Sequence, residues 1–188
     1  MARLSYLEKE TATPDQEKVL AQLTQKSGKI ANIWKLWGHS PQTLETFIVF
    51  YKALMKGRLD PKLRELAYIK ASLVNDCAYC ANAHKSVAQR IGVTEEQIQQ
   101  INTFATSDLF SPVERAVMAA ADEILSRNLV EDATFAALQK HLSDAEILEL
   151  FVVIGLWRMH GLIVRALHLE YDNDTTARMQ EVPAPAAS

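Results

Sequence analysis

Residues 59–92 read LDPKLRELAYIKASLVNDCAYCANAHKSVAQRIG. Asp60-Pro61 supplies an N-cap followed by a proline at the first helical position. The run 63–74 is then apolar on nearly every side: Leu63, Leu66, Ala67, Tyr68, Ile69, Ala71, Leu73 and Val74. That pattern predicts a helix buried all round, and Glu65 lies within it. Asn75 and Asp76 are stop-and-recap residues, so a second helix is expected to begin there, with Cys77 and Cys80 in its first turn. Cys77, Cys80, His84, Val87 and Ile91 advance by 3, 4, 3 and 4 residues, one stripe that is expected to face inward.

The rest of the chain repeats this helical grammar. Thr13-Pro14, Ser40-Pro41 and Ser111-Pro112 are further cap-and-proline starts, predicting helices to about residues 26, 56 and 127. Thr94 with Gln97, and Ser143 with Glu146, read as capping boxes, with a helix expected over about 131–141 between them. No period-two strand pattern appears, so the fold class is all-α. Residues 27–40, with Trp34 and Trp37, are the least regular interior stretch, suited to core packing or to one wall of a pocket. A single domain is expected over residues 1–181, and the Pro/Ala tail 182–188 is expected to be disordered.

Residues 51–84 also align with residues 135–168. Ala53/Ala137, Leu54/Leu138, Lys56/Lys140, Asp60/Asp144, Glu65/Glu149, Leu66/Leu150 and His84/His168 are identical. The alignment suggests two degenerate helical hairpins. Only the first carries cysteines; Gly161 and Val164 stand in their places in the second, which would then be scaffold.

Composition narrows the function classes. The 188 residues carry a net charge of -3, with 48% hydrophobic and 23% charged residues, as in an ordinary globular protein. No clustered basic surface for nucleic acid is indicated. The longest apolar run, 147–164, is interrupted by Glu149, Arg158 and His160, and no membrane span is expected. The N-terminal residues do not form a signal-type apolar stretch, so a cytoplasmic, reducing compartment is the expectation. There, a close cysteine pair is more often catalytic or metal-binding than structural. Cys77 and Cys80 are the only two cysteines, and the loop they close restricts an unfolded chain little. Thiol–disulfide exchange suits them better. His84, one turn beyond Cys80, is a base within reach of a nucleophile. Glu65, sharing a side with Tyr68, Ile69 and Ser72, is a candidate acid or base. The helix start favours a thiolate at Cys77, but His84 favours one at Cys80, and the imidazole is expected to outweigh the partial charge.

Together Glu65, Cys77, Cys80 and His84 read Glu-x11-Cys-x-x-Cys-x3-His. This resembles the signature of the alkyl hydroperoxidase AhpD-like branch of the carboxymuconolactone decarboxylase superfamily. The flanks 28–32, 39–41, 59–65, 75–84 and 110–116 are similar as well, so the resemblance spans roughly residues 28–170. It implies an AhpD-like multi-helical bundle that assembles as a homo-oligomer, trimer or hexamer, and needs no cofactor. It implies Cys80 as the peroxidatic thiol, Cys77 as the resolving one, His84 as its partner and Glu65 as the base of a proton relay. The substrate would be a small peroxide, and the reductant a dithiol or dihydrolipoyl-type protein. One position departs: the best-known AhpD proteins have a histidine immediately before the second cysteine, and this chain has Tyr79. A phenol donates a hydrogen bond but is a poor base at pH 7, so weaker proton transfer is expected.

Three other readings remain. One is a decarboxylase-like enzyme of another specificity. Another is a zinc site of Cys77, Cys80, His84 and Glu65, although that spacing along one helix strains tetrahedral geometry. The last is a packing protein whose cysteines are small core residues. His39 is a candidate for lining the cavity, while His160 and His168 read mainly as structural.

Overall fold

The computed structural model describes residues 1–24 and 29–172. Among them are nine α-helices and no strand, as the capping pattern predicts. They are α1 (Pro14–Ala21), α2 (Asn32–Trp37), α3 (Pro41–Met55), α4 (Pro61–Val74) and α5 (Ala78–Arg90), then α6 (Glu95–Gln99), α7 (Pro112–Arg127), α8 (Asp132–Gln139) and α9 (Asp144–Ala166). The described residues form two compact units, Met1–Lys56 with residues 164–172, and Gly57–Ile163. The expected tail 182–188 lies outside the described residues, as do Ser27 and Gly28.

The first unit holds α1 to α3. Thr13 closes a capping box with Gln16, but α1 ends at Ala21, short of the expected residue 26. The stretch expected to be irregular contains α2, with Ile33 and Leu36 buried. Trp37 stacks on Phe47 at 4.9 Å, so this tryptophan serves core packing. His39 is exposed, and its Nε2 lies 2.8 Å from the Ser5 carbonyl.

The second unit is built around α4. Asp60 accepts from the amides of Lys62 and Leu63, and every residue from Leu63 to Leu73 is buried. α4 packs chiefly against α5 and α7. Leu66, Ile69 and Leu73 join Ala81, Ala88, Ile98 and Met118 in one core. The lysines at the rim of this core bury their stems and pair at their tips. Lys62 reaches Glu114 at 2.7 Å, Lys70 reaches Asp122 at 2.6 Å, and Lys85 reaches Glu95 at 2.8 Å. Burial pushes the Glu114 carboxyl up, but Lys62 and the Ser111 amide outweigh it and hold it below the usual carboxylate range. The Thr94, Ser111 and Ser143 capping boxes all form.

Two expectations are corrected here. α9 is long and apolar enough, by length and composition, to cross a membrane, although only shorter interrupted runs were expected. Half of its most apolar window is buried within the protein, as in a core helix. Its two interrupting charges are also used: Arg158 donates to Asn128 Oδ1 at 2.7 Å, and Glu149 serves a loop. The internal likeness, moreover, does not extend to a second hairpin. α9 runs unbroken through residues 159–161, which align with the turn at 75–77. Met159 and His160 continue a helix where Asn75 and Asp76 stop one.

Glu149 also parts company with Glu65. Its Oε2 accepts from the amides of Arg58 and Leu59, at 2.7 and 2.8 Å. A Cβ on Gly57 would lie 2.5 Å from that carboxylate oxygen, so any larger residue there would push the carboxylate off its two amide donors. Glu149→Ala is expected to lower unfolding free energy by roughly 1–3 kcal/mol, read as a lower urea midpoint at unchanged slope. Gly57→Ala should act in the same direction; a midpoint equal to wild type in both variants would show that the loop does not depend on this carboxylate.

Candidate functional site

The turn between α4 and α5 is made by three residues with separate tasks. Asn75 ends α4, its amide donating to the Ala71 carbonyl. Asp76 takes φ 51°, the left-handed region that Asp tolerates better than most residues. Cys77 is then itself the N-cap of α5, its Sγ accepting from the Cys80 amide at 3.3 Å. The expected caps, Asn75 and Asp76, are spent on closing α4 and reversing the chain. Gly161 of α9 lies against this turn: a Cβ there would meet Asn75 Nδ2 at 2.9 Å. Asn75 Nδ2 in turn donates to the Trp157 carbonyl at 3.2 Å, so α9 braces the turn from outside.

Cys77 and Cys80 form a disulfide with their Cα atoms 5.3 Å apart. One turn brings residues i and i+3 within bridging range, and α5 is intact from Ala78 with the bond in place. Both cysteines are only 3% exposed. The inward stripe is rotated from its expected line. Cys80, Ala81, Lys85 and Ala88 are buried on α5, whereas Ile91 is 38% exposed. The shift follows α4, which Ala81 and Ala88 contact as small residues. His84 therefore sits at the edge of the buried face.

Across from it, Glu65 projects from α4. His84 Nδ1 donates to Glu65 Oε2 at 2.5 Å, and the carboxylate is 3% exposed. A buried carboxylate needs such a partner. Because Nδ1 is engaged, Nε2 is the nitrogen left to exchange a proton. Two aromatic rings bound the imidazole: Tyr68 at 4.8 Å and Trp157 at 4.3 Å, both edge-on. Trp157 Nε1 donates to Ser72 Oγ at 2.7 Å, and Ser72 Oγ donates to the Tyr68 carbonyl at 2.7 Å. His160 stacks on the far side of this group, 5.3 Å from Trp157, with Nδ1 3.2 Å from the Leu156 carbonyl. Burial drives the His160 pKa down to about 4; the Leu156 carbonyl opposes this and the charge of His84 adds to it.

The four expected site residues are thus arranged as two linked pairs, Cys77 with Cys80 and Glu65 with His84. His84 follows Cys80 by one turn on α5. His168 adopts φ 52° beyond the end of α9 and belongs to the other unit. Trp157, Ser72 and His160 were not marked as site residues by the sequence. An apolar helix offers many candidate core side chains, and only the crossing of α9 selects Trp157. Among the described residues, no group of three or more His, Cys, Asp and Glu side chains is arranged to hold a metal ion. With both sulfurs bonded to each other, neither is a thiolate ligand.

Comparison with known proteins follows the same lines. The carboxymuconolactone decarboxylase family model matches residues 41–123, which include α4 and α5. The uncharacterized protein YdfG of Bacillus subtilis (strain 168) is 25% identical over 118 residues, 62% of this chain and 80% of that protein. In fold, the chain is similar to the alkylhydroperoxidase AhpD core of an uncharacterized peroxidase-related protein from Ralstonia eutropha JMP134. That match has a TM-score of 0.78 and 20% identity, over 93% of this chain and 94% of the other. The debrominase Bmp8 is similar too, with a TM-score of 0.76 and 22% identity over 92% and 93% of the two chains.

The buried His160 makes a stability prediction. Its folded-state pKa, about 4, lies below the ordinary 6.5. Between those values the unfolded chain takes up a proton that the folded chain refuses, so stability falls as pH falls through that window. The contribution is at most about 1.4 kcal/mol per pH unit. Urea midpoints measured from pH 7 to pH 4 should drop more steeply in wild type than in His160→Gln. Parallel curves would mean that His160 titrates normally.

Proposed function

Residues 41–123 form a carboxymuconolactone decarboxylase family segment within an AhpD-like fold, and from that premise we propose that the chain is a thiol-dependent peroxidase. The observation that carries this reading is the Cys77–Cys80 disulfide, one helical turn from a half-buried imidazole already hydrogen-bonded to a buried carboxylate. A dithiol gives up two electrons when it closes to a disulfide, and a positioned base is what its thiol needs in order to react.

In the reduced protein, His84 accepts the Cys80 thiol proton at Nε2 while Glu65 holds Nδ1 and stabilises the imidazolium. The Cys80 thiolate attacks the terminal oxygen of a hydroperoxide. The O–O bond breaks, the alkoxide leaves as an alcohol with the proton returned by His84, and Cys80 becomes a sulfenic acid. The Cys77 thiol attacks that sulfur; an S–S bond forms and water leaves. One hydroperoxide and two thiols thus give one alcohol, one water and the disulfide. Glu65 acts through His84 in this scheme, orienting the base. A dithiol donor of dihydrolipoyl type then reduces the pair, becoming a disulfide itself. Tyr79 takes no proton-accepting part.

Self-association belongs to the same reading. Leu148 and Leu162 on α9 are 65% and 68% exposed, apolar surface suited to burial against a second copy of the chain in a trimer or hexamer. A cytoplasmic setting would supply the reductant. A second substrate class is worth one comparison: two thiols can also replace carbon-bound bromine by hydrogen, releasing bromide, and Bmp8, of similar fold, is a debrominase.

Mass spectrometry after a small excess of cumene hydroperoxide tests the proposal. Reduced wild type should return the Cys77–Cys80 disulfide, and Cys77→Ser should trap a sulfenic acid on Cys80. Glu65→Gln should slow the oxidation by about a hundredfold. Absence of oxidation in wild type would remove the peroxidase reading, and bromide release from a bromopyrrole in its place would favour the second class.

A further inference from the structure

The Glu65–His84 hydrogen bond is formed by α4 and α5, yet the ring that bounds His84 most closely comes from α9. We propose that Trp157 is a positioning residue for His84, and that Ser72 and His160 hold the indole in place. The inference deepens the proposed peroxidase reading, since His84 is the base in that scheme.

The hydrogen-bond direction leaves the indole little freedom. The Ser72 hydroxyl has one proton, and that proton goes to the Tyr68 carbonyl at 2.7 Å. Its lone pair then faces the Trp157 Nε1–H, also at 2.7 Å. Ser72 is fully buried, so water offers neither group an alternative partner. The chain indole, hydroxyl, carbonyl therefore runs one way and anchors α9 to α4. Against the indole lie the Tyr68 ring at 4.0 Å and the His160 ring at 5.3 Å, the latter nearly parallel.

His84 gains its geometry from this frame. An imidazole turns about two side-chain torsions, and the second of them is broad when nothing restrains it. Here Tyr68 and Trp157 meet it edge-on, at interplanar angles of 62° and 79°. Rotation of the ring plane would drive it into one or the other. With the plane held, Nδ1 remains on Glu65 and Nε2 keeps one direction. A base misplaced by about 1 Å can lose on the order of a hundredfold in rate, so such restraint has kinetic consequences.

Two measurements on the full-length protein test this. One is the proton NMR signal of the His84 Nδ1–H, shifted downfield and slowed in exchange by its bond to Glu65, assigned by its loss in Glu65→Gln. The other is the rate constant for disulfide formation in the reduced protein with cumene hydroperoxide. Ser72→Ala removes one hydroxyl and keeps every ring; Trp157→Phe keeps a ring and removes the donor. Both variants should broaden or lose the Nδ1–H signal and slow oxidation about tenfold to a hundredfold. If both keep the signal and a rate within about twofold of wild type, even with lower melting temperatures, Trp157 only packs and the inference is overturned. If wild type is not oxidised but the signal is lost in Ser72→Ala, the positioning role stands and the peroxidase reading fails instead.

Discussion

The hydrogen bond from His84 to Glu65 is the constraint around which the second unit is arranged. α4 is buried on every side from Leu63 to Leu73, and a carboxylate in such a helix is tolerable only with a donor in reach. His84 is that donor, and it is there because α5 turns back along α4 immediately after Asn75. The turn, the helix pairing and the chemistry thus share one requirement. Removing the imidazole would leave a buried charge without a partner, while removing the carboxylate would leave Nδ1 without its acceptor.

The same economy governs the sulfur pair. Cys77 caps α5 with its own Sγ, so one residue both begins the helix and forms half of the disulfide. Gly161 and Asn75 let α9 approach this turn closely, and Trp157 follows from that approach. The two related glutamates show how context divides a shared pattern. Glu65 meets an imidazole and is buried against it. Glu149 meets two loop amides and becomes a loop anchor. Neither outcome is written in the glutamate itself.

Most of the helical layout was legible because its signals are local. Ser or Asp before proline and capping boxes fix where helices start, within one turn of sequence, and Asp60, Thr94 and Ser111 cap as their sequences imply. The grouping of Glu65, Cys77, Cys80 and His84 was legible for a related reason: three lie on one helix, and the fourth precedes them by one helix and a turn. Reading failed where spatial neighbours decide. Residues 32–37 look irregular but fold as α2, with Ile33 and Leu36 buried and Trp37 stacked on Phe47. The second aligned segment looks like a hairpin but stays one helix, because Met159 and His160 do not terminate it.

The sequence by itself determined an all-α chain, the starts of its helices, a cysteine pair at bridging distance and a histidine one turn beyond. These depend on spacing along a helix, which periodicity dictates. Only the tertiary structure decided that Glu65 faces His84, that the buried line of α5 is rotated toward Ala81 and Ala88, and that Tyr68 and Trp157 bound the imidazole, with Ser72 and His160 against the indole. Those choices arise where separate helices cross, and an apolar helix such as α9 carries too many equivalent side chains for its pattern to say which one will meet the site.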